Sequence, residues 1–501
     1  MLLEIFILVA ILYVTWFYLS TYAVRRKLPR GPIPIPLIGN VLQVGLDMPF
    51  SMENLRREFG DLYTISLPIG TFLILNNSEL FQEAFVTRKD DFSGRVDESQ
   101  FPFNVIFENK DLGFTNHSSA YIFRRRVFSN ALRVFGEGKN LAKERLYNAS
   151  DRLLQKINKT EGNPFSVKEY LGKTSMIILC EWLVGKQFSY DDPTIKKLIE
   201  FNEEFATVIR PGSAHYFLPF LRFFPTSYAK SLQNVLNIRD GFCGEQLKYH
   251  LETYKEGEVR DIIDAFIVQF RNEKEKERDS DIGSIEDIKF LVMDVLFSAH
   301  DTNNAISTWF ILYMILYRNV QEKVHEEFDR VIGDSRLPCL EDADNLPYFQ
   351  ATICEVIRHA VSIALIMRRA VRDTKIQDHI IPKGTTIILN LWRIHHDETK
   401  WKSPSRFLPS RFLNENEQFI GWKSELDFFP FSIGRRACPG IALGKMNVFI
   451  TLSRLFHQFR FKIPPGSPKP TLEAMTSSVR FPKPYEVKAI KRTKAINTVK
   501  T

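Results

Sequence analysis

The chain has 501 residues, of which 44% are hydrophobic and 25% are charged, a composition typical of globular proteins. It disfavours disordered, fibrous and polytopic membrane proteins. The formal net charge of +8 is modest for this length, so it argues for a basic patch and against nucleic-acid binding. The five cysteines are scattered and none forms a CxxC pair, which argues against a disulfide framework or a structural zinc site and indicates a reducing compartment.

The N-terminal segment is a candidate membrane anchor, because the run from Ile5 to Val24 contains no charged residue. At about 1.5 Å per residue, a helix of this length spans the roughly 30 Å hydrocarbon layer. Only Glu4 precedes the run, whereas Arg25, Arg26 and Lys27 follow it, so the charge bias puts the body on the cytoplasmic side. A cleaved signal peptide is the alternative, but its positive charges precede a shorter apolar stretch.

The remainder of the chain divides into three further segments. Residues 25–40 are basic and carry four prolines, which predicts a stiff hinge between the anchor and the body. Residues 41–490 show no repeat and no low-complexity linker, so they are expected to form a single large domain. Residues 491–501 form a basic tail, and residues 1–24 are the predicted transmembrane signal-anchor helix.

The periodicity of the body predicts a mostly α fold with minor β structure. Strands are expected from the β-branched content of three segments, Tyr63–Ser66, Phe72–Leu75 and Thr385–Leu391. Helices are expected from the apolar spacing of Asp261–Phe270, of Ile288–Tyr317 and of the segment that begins near Ile441. The dense run of mixed charges at residues 271–281 is expected to be a solvated loop. The aromatic segment from His215 to Pro225 is either core or a membrane-dipping loop.

The segment FPFSIGRRACPG places Cys438 just before the helix that begins near Ile441. Backbone N–H groups and the helix dipole at this position favour a thiolate, which is a metal ligand. Gly434 and Gly440 would let the backbone approach a flat cofactor closely, and Arg436 offers a charge to a carboxylate. Without further information a buried structural cysteine is the alternative, since a free cysteine commonly packs as a small hydrophobic residue.

The same residues resemble the haem-binding signature FxxGxRxCxG of the cytochrome P-450 family, and Phe431, Gly434, Arg436, Cys438 and Gly440 fill its five fixed positions. The chain looks most like the microsomal branch that includes drug- and steroid-hydroxylating enzymes. The resemblance implies the cytochrome P-450 fold, with one large haem domain behind an N-terminal transmembrane anchor. It also implies that Cys438 is the axial thiolate ligand of the iron of haem b.

Two further segments support the resemblance. Glu355 and Arg358 look like the ExxR motif of the family, and the segment at residues 406–412 resembles its PxRF motif, with Arg411 as the third partner. The resemblance implies that these three side chains form a structural ion network. By spacing alone, Glu355 and Arg358 could equally be a surface helix pair. Ser410 stands where many relatives carry an acid.

The cofactor-binding residues are also taken from the resemblance. The WxxxR pattern of the family falls on Tyr121 and Arg125, whose usual task is to bind the haem propionates. Arg369 and Arg436 are expected to join Arg125 in pairing with the two carboxylates, for which the guanidinium group is well suited. Phe431 completes the expected cofactor-binding set.

The long helix carries FSAHDTNNA, which resembles the family pattern AGx(D/E)T(T/S). Asp301 and Thr302 are therefore the expected catalytic residues, and their implied task is to deliver protons to dioxygen. Ala299 and Asn303 depart from the usual glycine and threonine. His300 is expected to be an ordinary packed histidine.

The implied function is that of a membrane-bound haem-thiolate monooxygenase that inserts one atom of O₂ into a lipophilic substrate such as a steroid, fatty acid, terpenoid or xenobiotic. Family position assigns the substrate pocket to five mostly apolar segments, Phe101–Ile106, Phe201–Ile209, Phe297–Thr302, Ile363–Met367 and Ser477–Val479. The alternatives are a haem-thiolate isomerase or dehydratase that needs no reductase, against which Asp301 and Thr302 argue, and a non-enzymatic haem sensor.

The implied partners are NADPH-cytochrome P-450 reductase, which passes electrons from NADPH, with cytochrome b5 as an additional donor, together with membrane lipid and no nucleic acid. The implied location is the endoplasmic reticulum membrane, crossed once, with the catalytic domain on the cytoplasmic side. Four N-x-S/T sequons begin at Asn76, Asn116, Asn148 and Asn158, and on a cytoplasmic domain they are expected to stay unglycosylated.

Overall fold

The structure is a computed structural model that describes residues 2–45, 47–95, 101–137, 140–210, 215, 219–277, 282–422, 427–475 and 478–492. Most of the predicted basic tail at 491–501 lies outside these residues. The α-helices of the N-terminal half are α1 Leu2–Arg25, α2 Val41–Val44, α3 Met48–Phe59, α4 Ser78–Gln82, α5 Phe103–Phe107, α6 Ser119–Glu137, α7 Leu141–Asn158, α8 Val167–Val184, α9 Pro193–Val208, α10 Ser227–Asn237 and α11 Gly244–Thr253. Those that follow are α12 Ile262–Lys276, α13 Ile288–Leu316, α14 Arg318–Val331, α15 Pro347–Ala360, α16 Leu391–His395 and α17 Ile441–Gln458.

The β structure is confined to small sheets. The strands are β1 Leu62–Leu67, β2 Gly70–Leu75, β3 Phe165–Ser166, β4 Leu365–Arg369, β5 Thr374–Ile376, β6 His379–Ile381, β7 Thr386–Asn390, β8 Phe459–Lys462 and β9 Glu486–Lys491. The largest sheet has the order β1-β2-β7-β4, in which β2 and β7 are parallel and the other pairs are antiparallel. A mostly α fold with minor β structure is thus confirmed.

The predicted elements lie where the hydrophobic patterns indicated, with one exception. The three expected strands correspond to β1, β2 and β7, and the three expected helices correspond to α12, α13 and α17. The prediction of a loop over residues 271–281 is wrong for its first part, because α12 continues to Lys276. The charged residues occupy the C-terminal end of this helix, where basic side chains complement the helix dipole. Residues 278–281 lie outside the described part of the chain.

The centre of the body is α13, a helix of 29 residues that is buried for most of its length. It packs against α8 on one side and also contacts α15 and α17. Phe310 illustrates this core, since its ring meets Phe349 of α15 at 5.7 Å and Phe456 of α17 at 5.1 Å between ring centroids. The polar residues in the middle of α13 are therefore held on a rigid and largely apolar support.

The N-terminal helix α1 projects its apolar side chains outward, and Phe6 and Trp16 are 72% and 63% exposed. Within the described residues it is the helix that is long and apolar enough to cross a membrane, over Glu4–Arg25. A second exposed apolar site lies in the aromatic segment at 215–225, where Phe223 is 89% exposed. The described part of this segment therefore favours the membrane-dipping alternative over core, whereas residues 216–218 lie outside the description.

Candidate functional site

The loop that carries Cys438 is shaped by a close backbone approach. Gly434 has a φ of +76°, and a Cβ atom built there would lie 1.9 Å from the carbonyl oxygen of Phe85. No other residue type fits this position without moving the backbone. After a short turn at Gly434–Arg436, the N–H of Cys438 donates to the carbonyl of Phe431 at 3.0 Å. The chain then enters α17 at Ile441, so the cysteine precedes the helix as predicted from the sequence.

The surroundings of Cys438 do not by themselves favour a thiolate. The side chain opens on a cavity but lies deep in the protein, and this burial raises the pKa of the thiol. The N–H of Gly440 and the charge of Arg125 lower the pKa but do not outweigh burial. The backbone at this position thus acts in the predicted direction, but its effect on the pKa is smaller than that of burial. A bound metal cation would supply the missing stabilisation, because a coordinated thiol is deprotonated.

The cavity beside Cys438 has a volume of 500 Å³, and we call it the cysteine cavity. The middle of α13 faces it through Ala299, Thr302 and Asn303. Further walls come from the chain before and within β4, including Ile363 and Met367. The predominantly apolar lining is that of a site for a lipophilic molecule, with the polar groups restricted to a few positions.

The charges of the buried arginines at this cavity indicate whether its lining is suited to haem. Arg95, Arg368 and Arg436 line it, and in the described part of the chain none of them pairs with a carboxylate. Burial and the charge of Arg436 lower the pKa of Arg95 to about 10, and burial lowers the pKa of Arg368 as well. Cations gathered away from water require an anion to offset their desolvation. The two carboxylates of haem meet this requirement, so the residues fit the group.

Tyr121 and Arg125 lie at the same cluster. The Tyr121 ring lies under the guanidinium of Arg436 at 3.7 Å, and its buried hydroxyl has no hydrogen-bond partner among the described residues. Arg125 donates to the carbonyl of Ala437, next to the cysteine, at 2.6 Å. The structure therefore brings Tyr121, Arg125, Phe431 and Arg436 to the neighbourhood of Cys438.

Arg369 does not lie at the cysteine cavity. Its side chain donates to the carbonyl of Gly384 at 3.0 Å, while the preceding residue, Arg368, lines the cavity. Successive side chains of a strand point to opposite faces of the sheet. The prediction of Arg369 therefore missed by one residue the arginine whose side chain lines the cavity. Arg95 also lines the cavity and was missed, because no sequence motif surrounds it. The backbone of Arg95 is positioned by the preceding residue, Gly94, which forms a β-bridge with Arg369 at the edge of the sheet.

The expected ion network is formed, with Glu355 and Arg358 fully buried and Arg411 partly buried. Arg358 donates to both carboxylate oxygens of Glu355, at 2.7 and 2.8 Å, and Arg411 donates to the same carboxylate at 3.3 Å. Arg358 also donates to the carbonyl of His395 at 2.7 Å, and thus ties α15 to the segment after β7. Ser410 is exposed and outside this network, so the missing acid leaves the three partners in place.

Asp301 and Thr302 face different cavities. Thr302 lines the cysteine cavity, and its hydroxyl donates to the carbonyl of Ser298 at 2.9 Å. Asp301 instead lines a second cavity of 810 Å³ between α8, α9 and α13, which Lys168 and Glu203 also line. Burial raises the pKa of Asp301 to about 6. Neighbouring residues of a helix point about 100° apart, which accounts for the separation.

The other polar residues of this turn are held by the helix. His300 is buried, and burial lowers its pKa to about 4, so it is a neutral packed histidine at physiological pH. The amide of Asn303 donates to the carbonyl of Ala299 at 2.9 Å. The two departures from the family pattern thus interact with each other at the wall of the cysteine cavity.

Only some of the predicted substrate segments line the cysteine cavity. Residues of 363–367 and of 297–302 line the cysteine cavity, whereas 101–106 and 201–209 do not. The segment 201–209 packs on α13 through Phe205, whose ring stacks on that of Phe297 with centroids 4.6 Å apart. Ser477 lies outside the described residues.

Comparisons with known proteins agree with this geometry. The family model for cytochrome P-450 matches residues 29–489. Cytochrome P-450 2E1 of Rattus norvegicus is 32% identical over 441 residues, which cover 87% of either chain. Steroid 17-alpha-hydroxylase/17,20 lyase of Ictalurus punctatus is 29% identical over 478 residues, covering 94% of this chain and 92% of that one. Cytochrome P-450 1A1 of Sparus aurata is 28% identical over 479 residues, with coverage of 92% and 91%.

Proposed function

The chain belongs to the cytochrome P-450 family and is a haem monooxygenase, and from this premise we propose that it oxidises a lipophilic substrate with electrons that NADPH supplies through a reductase. The observation that carries the proposal is the cysteine cavity, where Cys438, Thr302 and a cluster of buried arginines meet apolar walls. When bound, the haem with its thiolate ligand supplies the activation of O₂.

The arginines hold the cofactor in this proposal. Arg95, Arg368 and Arg436 bind its two carboxylates, and Arg125 contributes its charge from the adjoining helix α6. The hydroxyl of Tyr121, which lacks a partner among the described residues, donates to the same carboxylates. Cys438 provides the metal ligand. Each of these side chains is fixed by a helix, a strand or a backbone hydrogen bond, so the site is preorganised.

The residues of α13 handle protons and exclude water. The Thr302 hydroxyl moves a proton inside the cysteine cavity, and Asp301, which faces the second cavity, is the acid that restores it. The apolar walls around Ile363 and Met367 keep water out and orient the substrate. Few polar anchors are present, so the substrate class is lipophilic, such as a steroid, fatty acid, terpenoid or foreign compound.

The cellular setting is part of the proposal. The exposed apolar helix α1 anchors the protein in the endoplasmic reticulum membrane by a single span, with residues 41–490 as one catalytic domain in the cytosol. Residues 25–40 form the hinge between them. NADPH-cytochrome P-450 reductase is the electron donor, and cytochrome b5 is a second donor.

The test is the spectrum of the purified protein reduced under carbon monoxide. A thiolate ligand shifts the main absorption band to long wavelength, and we expect this band in the parent and its loss in Cys438→Ala. Cys354→Ala is the matched control, because Cys354 is a buried cysteine of α15 that does not line the cavity. A Cys438→Ala protein that keeps the band would contradict the assignment. Consumption of NADPH with reductase, accompanied by an oxygenated product, separates a monooxygenase from an isomerase or a sensor.

A further inference from the structure

A separate pocket of 310 Å³ lies along α17, and we call it the α17 pocket. Leu340, Ile353, Met446 and Phe449 provide apolar walls from α17, from α15 and from the short turn Leu340–Asn345. Its volume is near the lower end of the range of about 300–1,000 Å³ that is typical of small-molecule sites. The pocket therefore has room for a small apolar ligand but not for a large one.

The polar groups of the α17 pocket are an amide and an ammonium. The Gln350 side chain donates to the carbonyl of Ala343 at 2.8 Å, so its amide N–H is already engaged. Lys445 is half-buried, with its ammonium 4.6 Å from the centre of the Trp422 ring. Within the described ranges, which omit 423–426, no carboxylate pairs with this ammonium. An anion at the pocket would supply the missing counter-charge.

We propose that the α17 pocket binds an aliphatic carboxylate of medium chain length. The hydrocarbon chain packs on the walls formed by Ile353, Met446 and Phe449, where its burial is favourable in proportion to its apolar area. The carboxylate binds the ammonium of Lys445 through a charge-assisted hydrogen bond. A neutral alcohol of the same length lacks this contact, and a long or polycyclic molecule exceeds the volume.

The pocket adjoins the cysteine cavity, which limits the choice of a binding signal. Trp422, Leu443 and Lys445 line both spaces, and Leu443 lies five residues after the metal ligand. Haem in the cysteine cavity would quench the fluorescence of Trp422, so ligand binding is measured with an isotope label.

The experiment measures the equilibrium binding of isotope-labelled octanoate and octanol to the haem-loaded full chain in a neutral phospholipid bilayer, with the protein-free bilayer as the blank. We expect Lys445→Gln to weaken octanoate binding about tenfold, the effect of one hydrogen bond to a charged group. Arg133→Gln is the matched control, because Arg133 is an exposed cation of the adjoining helix α6 outside the pocket. Ala442→Phe, which fills the exposed end of the pocket, should abolish octanoate binding even if Lys445→Gln fails to fold.

Four outcomes overturn the proposal. Three of them are octanol binding as tight as octanoate binding, an equal loss of binding in Arg133→Gln, and unchanged binding in Ala442→Phe. The fourth is the absence of octanoate binding while Ala442→Phe weakens the association with reductase, which would assign the pocket to a side chain of that partner. The carbon monoxide spectrum of the parent protein does not depend on any of these results, so the pocket proposal and the monooxygenase assignment can fail independently of each other.

Discussion

The hydroxyl of Thr302 faces the cysteine cavity but bonds back to its own helix, to the carbonyls of Ser298 and Ala299 at 2.9 and 3.2 Å. To donate elsewhere it must rotate away from these acceptors, and a bound substrate or water compensates for their loss. Thr302→Ala removes the proton carrier without changing the volume of the cavity greatly. We expect product formed per NADPH consumed to fall about tenfold, below the usual range for general acid catalysis because water substitutes in part.

Thr302→Ser is the control for this prediction, because it restores the hydroxyl without the methyl group. We expect it to recover most of the product yield, while both variants bind substrate like the parent. Full coupling in Thr302→Ala would assign proton transfer to another group, with Ser298 and Asn303 as the other polar residues of α13 on the same wall.

Asp301 is predicted to act through its acidity and not through contact with the substrate. Its pKa of about 6, raised by burial, leaves it partly protonated near neutral pH, as a proton donor requires. Asp301→Asn should slow product formation and remove the inflection near pH 6 from the pH profile of the rate. Glu203→Gln changes a carboxylate of the same second cavity and serves as the control; the inflection should be retained but move to lower pH, because the charge of Glu203 contributes to the raised pKa of Asp301. An inflection that persists in Asp301→Asn would exclude this residue as its source.

At the scale of elements, the buried network of Glu355, Arg358 and Arg411 connects α15 to the chain after β7. Removing one charge from a fully buried pair leaves the other uncompensated, at a typical cost of about 3–5 kcal/mol. We therefore expect Glu355→Gln to lower the midpoint of thermal unfolding strongly. Glu169→Gln breaks the exposed pair of Glu169 and Lys173 and should cost less than about 1 kcal/mol. Equal effects of the two substitutions would show that the buried network does not stabilise the fold.

A second buried polar contact connects α13 to the segment before α6. Asp294 accepts the N–H of Leu112 at 2.7 Å, and burial raises its pKa well above the ordinary value, with the charge of Asp111 raising it further. Burial raises the pKa of Asp111 as well, although Thr115 and the N–H of Phe114 donate to its carboxylate and oppose this rise. Arg436 donates to the carbonyls of Leu112 and Thr115, so the same segment also supports the arginine cluster.

The sign of the pH effect follows from the raised pKa of Asp294. Above about pH 4 the unfolded chain releases a proton that the folded protein retains, so stability falls as pH rises toward the folded pKa. Asp294→Asn imitates the protonated acid and keeps an oxygen for Leu112. We expect this variant to be more stable than the parent at about pH 8 and to show a weaker pH dependence of the unfolding midpoint.

Asp329→Asn, a change in a surface carboxylate that pairs with Arg492, is the control for Asp294→Asn and should leave the pH dependence intact. If the parent and Asp294→Asn lose stability in parallel as pH rises, the raised pKa of Asp294 does not govern the effect.

Sequence reasoning succeeded for elements with a strong local pattern. The β-branched strands β1, β2 and β7 and the apolar helix α13 follow from side-chain periodicity, which local backbone geometry imposes. The charged C-terminal end of α12 was not predicted to be helical, because a solvated helix and a solvated loop have the same composition. For the site, the residues inside the signature loop were predictable, whereas Arg95 and Arg368 depend on the register between distant segments.

The second cavity could not be predicted for a related reason. The segment FSAHDTNNA fixes the order of Asp301 and Thr302 but not the rotation of α13 about its axis. That rotation is set by packing against α8, where a Cβ atom at Gly172 would lie 2.8 Å from the side chain of Asn304. Only the assembled core therefore decides which residue faces which cavity.

For the whole molecule, the topology of the membrane anchor leads to a prediction about glycosylation. The basic residues after α1 favour a cytosolic body, and glycosylation takes place on the lumenal side. Asn158 is the most informative of the four sequons, because it is exposed at the end of α7. Asn76 is fully buried, so whether it carries a glycan would reflect folding and not the side of the membrane on which the body lies. We expect the native protein made in cells to show no mass change on treatment with an endoglycosidase.

The positive control is a variant with a sequon added ahead of Met1 on a short polar extension, which the proposed orientation places in the lumen. This variant should gain a glycan that the enzyme removes, and the addition of Asn158→Gln should not alter the result. Modification at Asn158 in the native chain would instead place the body in the lumen, on the opposite side of the membrane from the proposed cytosolic electron donor. The charge asymmetry around α1 and the identity of the donor are therefore tested by one measurement.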